Sequence, residues 1–248
     1  MNRILDPMME QASVALAKLD YLACERRCLE ALALARKQAN WSYYARVLMP
    51  LQESRRQRRM ISAEGTIRLG TAKLANVTSG CVSDECAIWL ERLDRGCIVV
   101  TPPYTTDDAH ALAQNAKEKN RFVEVLFAES VPDDAWTLCS YAGPKVHCRR
   151  PAPPDEWCER WLEPNPDKHV NPHDMSAETA TGLNPNPQPA DWFLDACEAL
   201  GDAALAQVEP SLSGPLRVET LEQCLHVVAD HEILHQRLGD AARAADIG

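Results

Sequence analysis

The chain has 248 residues, of which 46% are hydrophobic and 25% charged, a composition typical of globular proteins that excludes general disorder. The first twenty residues contain no apolar run like that of a signal peptide, and the chain has no uncharged apolar stretch of about 18 residues, so we predict neither export nor a membrane span and expect a cytoplasmic protein. The net charge is −10, yet residues 1–62 are basic, with 11 Lys and Arg against 6 Asp and Glu. The acidic main body therefore disfavours nucleic acid as a partner, and any anion-binding surface is expected near the N-terminus.

Residues 8–60 are predicted to be helical, because apolar side chains recur at helical spacing and Ala and Leu dominate. Asp20 interrupts the first apolar run. This interruption predicts a tight turn between two antiparallel helices.

The segment from Leu19 to Leu34 resembles the second half of a tetratricopeptide repeat. Tyr21 supplies the aromatic residue after the turn, and Cys24 and Ala31 are the small residues that let two helices approach. The glycine that the family usually places before the turn is missing. Four further residues resemble the opening helix of a second repeat, at a spacing close to the family's period of about 34 residues: Trp41, Tyr44, Ala45 and Leu48. The resemblance implies a helical hairpin plus a cap, which would contact another protein through the N-terminal helices.

Residues 61–150 are predicted to form a small α/β domain with a partly parallel sheet, because strand and helix patterns alternate. One helix is predicted from Asp84 to Arg95, and a second begins at a cap on Thr105 or Thr106. The predicted strands are Thr66–Leu69, Cys97–Val100 and Phe122–Ala128, followed by a hairpin around Gly143 and Pro144.

Residues 151–189 hold nine of the 17 prolines, which predicts a loop or linker in which Trp157 and Trp161 pin a short helical turn. Residues 190–246 are predicted to be helical. The sequence Leu-Gly-Asp-Ala-Ala occurs twice there, at 200–204 and at 238–242. Either it marks a second repeat-like hairpin, or Ala-rich helices simply resemble each other; both interpretations stay open.

These patterns predict a mixed α+β fold in four parts. A tetratricopeptide-like helical segment covers residues 1–62, an α/β domain 63–150, a proline-rich loop or linker 151–189, and a C-terminal helical segment 190–248.

The segment His231-Glu232-Ile233-Leu234-His235 resembles the helix of zinc metallopeptidases. In that pattern His231 and His235 bind zinc from one helix face, and Glu232 activates a water. On a helical wheel both histidines share an arc with Leu221 and Leu238, so we expect them to point inward. No third ligand follows downstream, and two core histidines hydrogen-bonded to neighbours are the competing interpretation.

Four arginines in the basic segment are the candidate partner- or anion-binding residues: Arg55, Arg56, Arg58 and Arg59. Arg55 and Arg59 would stack on one helix face and grip a phosphate or carboxylate. The alternatives are a solvated helix end and an internal clamp onto the acidic body, of which the clamp is favoured.

Two further clusters carry weaker signals. Asp167, His169, His173 and Asp174 offer metal-binding side chains in the proline-rich segment, where a flexible loop rarely fixes metal geometry. The loop 101–106 leaves a predicted buried strand and enters a helix, a place where open α/β sheets bind ligands.

The sequence therefore favours a non-enzymatic protein-interaction or scaffold protein. The runner-up is a zinc-dependent hydrolase centred on His231 and His235, and a third possibility is an α/β ligand-binding domain that uses the loop 101–106.

Overall fold

The computed structural model describes residues 4–70, 89–91, 93–131, 135–158, 160–162 and 188–246. Three N-terminal helices are followed by a central mixed sheet and by C-terminal helices, which confirms the predicted fold class. Within those ranges, no helix is long and apolar enough to cross a membrane.

The N-terminal helices are α1 (Leu5–Ala17), α2 (Tyr21–Lys37) and α3 (Trp41–Ala63). The predicted turn at Asp20 is confirmed, because its side chain accepts a hydrogen bond from the Ala23 amide and begins α2. The same turn recurs before α3, where Asn40 accepts from the Tyr43 amide. Each turn passes through a residue in the left-handed region, Leu19 with φ 61° and Ala39 with φ 51°. The three helices are therefore joined by two copies of one turn.

Six strands form one sheet in the order β5-β4-β3-β2-β1-β6. They are β1 (Thr66–Leu69), β2 (Arg95–Val100), β3 (Phe122–Val131), β4 (Ala135–Cys139), β5 (His147–Pro151) and β6 (Trp161–Leu162). The pairs β1–β2 and β2–β3 are parallel, and the other pairs are antiparallel. The partly parallel sheet and the hairpin around Gly143 are thus confirmed.

Two local predictions in this region were wrong. The helix predicted from Asp84 extends too far, because Arg95 already begins β2; residues 89–91 are helical, and most of the predicted helix lies outside the described residues. Trp161 belongs to β6 rather than to a helical turn, and only Asp155–Trp157 forms a 3-10 turn. Trp161 is held there by the Arg68 guanidinium, 4.8 Å above its ring centroid, a contact that a two-residue strand pattern cannot reveal.

The remaining helices are α4 (Thr106–Glu118), α5 (Pro189–Ala206), α6 (Gly214–Cys224) and α7 (Glu232–Ala245). Thr105 caps α4 as predicted, in a reciprocal capping box with Asp108. The chain leaves helical structure between Cys224 and Glu232. The prediction that one continuous helix carries Leu221, the two histidines and Leu238 was therefore wrong. Both histidines are nevertheless buried, as expected.

The sheet is covered on both faces. Alternate residues of β2 point to opposite sides, so that Cys97 and Val99 join a large core with the N- and C-terminal helices, while Ile98 and Val100 join a smaller core with α4. Helix α3 contacts β2, β3 and α7. It therefore lies between the sheet and the C-terminal helices, and the candidate site forms along it.

Candidate anion-binding cavity

A cavity of about 140 Å³ lies between α3, α4, β3 and the residues 225–230. It forms where the sheet opens, because the pairing of β3 with β4 stops at Phe127 and Cys139. Beyond Cys139 the chain turns across the gap and places Tyr141 in the cavity wall. Gly143 anchors this turn, since a Cβ there would lie 2.5 Å from the Gln223 carbonyl oxygen. The cavity is thus a consequence of sheet topology closed by a tightly packed turn.

Helix α3 turns three of the four candidate arginines toward this cavity. Arg55, Arg58 and Arg59 line it, as expected for residues three and four apart on one helix face. Arg58 and Arg59 are buried, with only 3% and 6% of each residue exposed. Arg56 lies on the outer face, 58% exposed, with its Nε 3.4 Å from Glu53.

The arginines are held by carboxylates from distant parts of the chain. Arg55 Nε lies 3.0 Å from Glu25 Oε1, and Arg58 also contacts Glu25. Arg58 Nη2 lies 3.4 Å from Glu124 on β3. Burial would raise the pKa of Glu25, but Arg58 and Arg55 outweigh it and lower that pKa to about 2. Glu25 is therefore ionised at neutral pH, and it ties α2 to α3.

Arg59 makes a second set of contacts, with the C-terminal region. Its Nη1 lies 2.8 Å from Glu198 on α5, and its Nη2 bonds Asp230. Burial raises the pKa of Asp230 to about 6, against the opposing charge of Arg59. The arginine face of α3 is thus an internal connection between α2, β3, α5 and the segment before α7.

These contacts leave donors unused on residues that line the cavity; Arg55 Nη2, for example, makes no hydrogen bond to a described residue. The buried Nε of Arg58 has no hydrogen-bond partner among the described residues. Lys117 lines the cavity from α4 and is exposed, and its ammonium group makes no ion pair within the part of the chain that the structure describes. The nearby carboxylates already bind arginines. The charged groups of the cavity that remain unused are therefore donors, which favours a ligand with acceptor oxygens.

The cavity also contains a buried thiol. Cys197 on α5 is 5% exposed, and burial raises its pKa to about 12 despite the neighbouring Arg59. A thiol with that pKa stays protonated at neutral pH and lacks the thiolate character of a nucleophile.

The predicted metal ligands lie elsewhere and are engaged in local contacts. His231 caps α7, where its Nδ1 accepts from the Leu234 amide at 3.3 Å, and its Nε2 lies 3.3 Å from Asp202. The Nε2 of His235 lies 2.9 Å from the Ala229 carbonyl oxygen. Glu232 is exposed and accepts from Gln236. Among the described residues, no group of three or more His, Cys, Asp and Glu is arranged to hold a metal ion.

The other two candidate clusters contribute nothing to this cavity. Asp167, His169, His173 and Asp174 lie outside the described residues. The loop 101–106 lines neither this cavity nor the second one described below; Tyr104 packs edge-on against Trp89 at 5.4 Å.

Sequence reasoning missed Lys117, Glu124 and Asp230 as parts of the site. Glu124 did carry a signal, since a carboxylate inside the apolar run of β3 requires a buried partner. No local pattern joins the others to α3.

In comparisons with known proteins, no family model matches this chain, and neither a curated protein nor a solved structure matches it significantly.

Proposed function

We propose that the protein is a binding protein that holds a small oxyanion, a phosphate or a carboxylate, in the cavity beside α3. The observation that carries this proposal is the pair of unused donors, Arg55 Nη2 and Lys117, on residues that line a cavity whose carboxylates are already bound by arginines. A ligand oxygen on either group would form a charge-assisted hydrogen bond that no described residue supplies.

The size and electrostatics of the cavity support the same ligand. A water's share of liquid volume is about 30 Å³, so about 140 Å³ holds a tetrahedral oxyanion. Hydrogen bonds from guanidinium and ammonium groups to an anion are about twice as strong as neutral ones. Cys197, the one thiol in the described wall, is held protonated, which argues against a thiolate nucleophile at this site.

Titration calorimetry with inorganic phosphate and with acetate, at constant ionic strength, tests this proposal. We expect binding to the wild-type protein and binding at least tenfold weaker to Lys117→Gln, because a charge-assisted hydrogen bond contributes roughly 1.5–3 kcal/mol. The matched control is Lys119→Gln, which removes the same charge two residues further along, outside the cavity, and should bind like the wild type. Equal binding by all three proteins, or by none, would overturn the proposal.

A second proposal keeps the role predicted from the tetratricopeptide-like helices, protein interaction or scaffolding with another protein as partner. It is supported by the repeated turn that joins α1, α2 and α3. Met49, which is 77% exposed on α3, provides a position at which contact with a partner can be tested. A partner recovered from native cells with the wild type, but not with Met49→Glu, is the expected result. Identical recovery with both proteins would count against it.

The zinc-dependent hydrolase stays an untested alternative. Zinc would have to displace the bond that His231 Nδ1 accepts from the Leu234 amide. His235 could keep its Nε2 on the Ala229 carbonyl oxygen and offer its unpartnered Nδ1. Elemental analysis of protein purified without chelator decides: stoichiometric zinc that is lost in His235→Ala would favour the hydrolase.

A further inference from the structure

A second cavity lies on the other side of Arg55. It is an open groove of about 290 Å³ between α2, α3 and α6. Its walls are largely apolar, and the principal apolar side chains are Leu29, Leu32, Ala33, Leu48, Leu51 and Leu238. The groove is therefore suited to an apolar group rather than to an ion.

Three polar residues at the groove are paired with one another. Arg36 on α2 bonds Glu222 on α6, and the hydroxyl group of Tyr44 donates to the same carboxylate. Burial and Glu222 together raise the pKa of Tyr44, so its phenol stays protonated. These contacts leave no unpaired charge on Arg36 or Glu222 for a ligand.

The groove and the arginine cavity share three lining residues, Arg55, Leu225 and His226. Arg55 is fixed at this boundary because its Nε bonds Glu25 and its Nη1 donates to the Ala229 carbonyl oxygen at 2.9 Å. Its Nη2 makes no hydrogen bond to a described residue. A donor thus stands where the apolar and the cationic compartments meet.

We propose that one ligand occupies both compartments, and that it is a monocarboxylate with an apolar arm. The carboxylate binds in the arginine cavity near Arg55 and Lys117, and the arm lies in the groove between α2 and α6. This inference rests on the proposed function, since it identifies the class of anion that the cavity takes. The argument is that Arg55, with an unused Nη2 donor, borders both the cavity with the arginines and the apolar groove.

The test is a calorimetric series of linear carboxylates: acetate, butyrate, hexanoate and octanoate. Each methylene group that leaves water should tighten binding by up to about fourfold, until the groove is filled. Hexanol, which has the arm without the charge, should bind at least tenfold more weakly than hexanoate. Lys117→Gln should weaken every carboxylate by the same factor.

A groove-blocking variant provides the second arm of the test. Ala33 is exposed and lines the groove, so Ala33→Trp should fill it without entering the core. We expect this variant to bind acetate like the wild type but to lose the dependence on chain length. Met49→Trp adds the same ring on the neighbouring helix outside the groove, and it should keep that dependence.

The outcomes separate the two proposals. If phosphate and acetate bind but chain length has no effect, the extended ligand is wrong and the anion cavity stands. If chain length matters equally in the wild type and in Ala33→Trp, the arm does not lie in the groove, and the inference is overturned. If no anion binds at all, both proposals fail.

Discussion

Gly201 on α5 lies directly against the ring of His231, the residue that caps α7. A Cβ at Gly201 would lie 2.6 Å from His231 Cγ and closer still to the edge of the ring. The ring is 1% exposed, and its Nδ1 bonds the Leu234 amide, so it has little room to move. The glycine inside α5 is therefore explained by the close packing of two C-terminal helices.

We predict that Gly201→Ala destabilises the protein by roughly 1–3 kcal/mol, the usual cost of overpacking. The control is Gly239→Ala, at the same position of the repeated Leu-Gly-Asp-Ala-Ala sequence. There a new Cβ would only touch the end of Arg243 at 3.5 Å, and the higher helix propensity of Ala should keep or raise stability. Urea unfolding measures both variants. Equal stability of the two would contradict the packing described for His231.

Two substitutions among the arginines of α3 form a second matched pair of variants for measuring stability. Arg58→Met leaves Glu25 and Glu124 without one of their cations inside the protein, which should cost about 3–5 kcal/mol. Arg56→Met removes only an exposed pair with Glu53, which should cost about 0–1 kcal/mol. The free energies of unfolding should differ accordingly, and losses of similar size would mean that the internal ion pairs do not stabilise the fold.

Glycine in the two turns between the N-terminal helices should raise the stability of the protein. Leu19 and Ala39 adopt left-handed backbone angles, which cost about 1–2 kcal/mol for a residue with a Cβ. After the entropy cost of glycine, Leu19→Gly and Ala39→Gly should each raise stability by about 0.5–1 kcal/mol. Arg27→Gly, within α2, should instead lower it by about 1 kcal/mol. Thermal melts that rank Arg27→Gly with the two turn variants would refute this account.

Stability should depend on the titration of His235. Burial, then Arg55, lowers its pKa from 6.5 to about 4, so between those values the unfolded chain binds more protons than the folded one. The contribution of neutral His235 to the free energy of unfolding is fully present above pH 6.5. It is lost as the pH falls towards 4, by roughly 3 kcal/mol at most. Unfolding from pH 4 to 7 should show this slope in the wild type and a flatter one in His235→Gln.

The titration of Asp230 changes stability with pH in the opposite direction, so it needs its own control variant. Its pKa is raised from 3.8 to about 6, so its contribution favours the folded state at low pH and is lost as pH rises through 6. Asp230→Asn should therefore steepen the rise of stability with pH in that window. Identical slopes in the wild type and both variants would mean that neither group titrates as described.

The fold was largely predictable because its signals are local. Asp20 and Thr105 sit at helix starts, and Cys97 to Val100 form an apolar run bounded by turn residues. Such features are set by neighbours within a few positions. The strand at Trp161 escaped prediction because it is two residues long and is held by a tertiary contact with Arg68.

The candidate site was only half visible in the sequence. The arginines of α3 stood out as a charged run, but their partners Glu25, Glu124, Glu198 and Asp230 are brought to them only by tertiary folding. No periodicity links such distant positions. The helical wheel placed His231 on the same helix as Leu221, which was wrong for a related reason. It assumed a continuous helix across the break after Cys224.

The most direct test of the anion cavity is a crystal of the protein soaked in selenate, a tetrahedral oxyanion located by its anomalous signal. The account predicts a selenium peak within the cavity, with ligand oxygens in hydrogen-bond distance of Arg55 Nη2 and the Lys117 ammonium group, and loss of that peak in Lys117→Gln crystals. Selenium peaks confined to the outer surface, with the cavity holding only water at the same soak concentration, would contradict it.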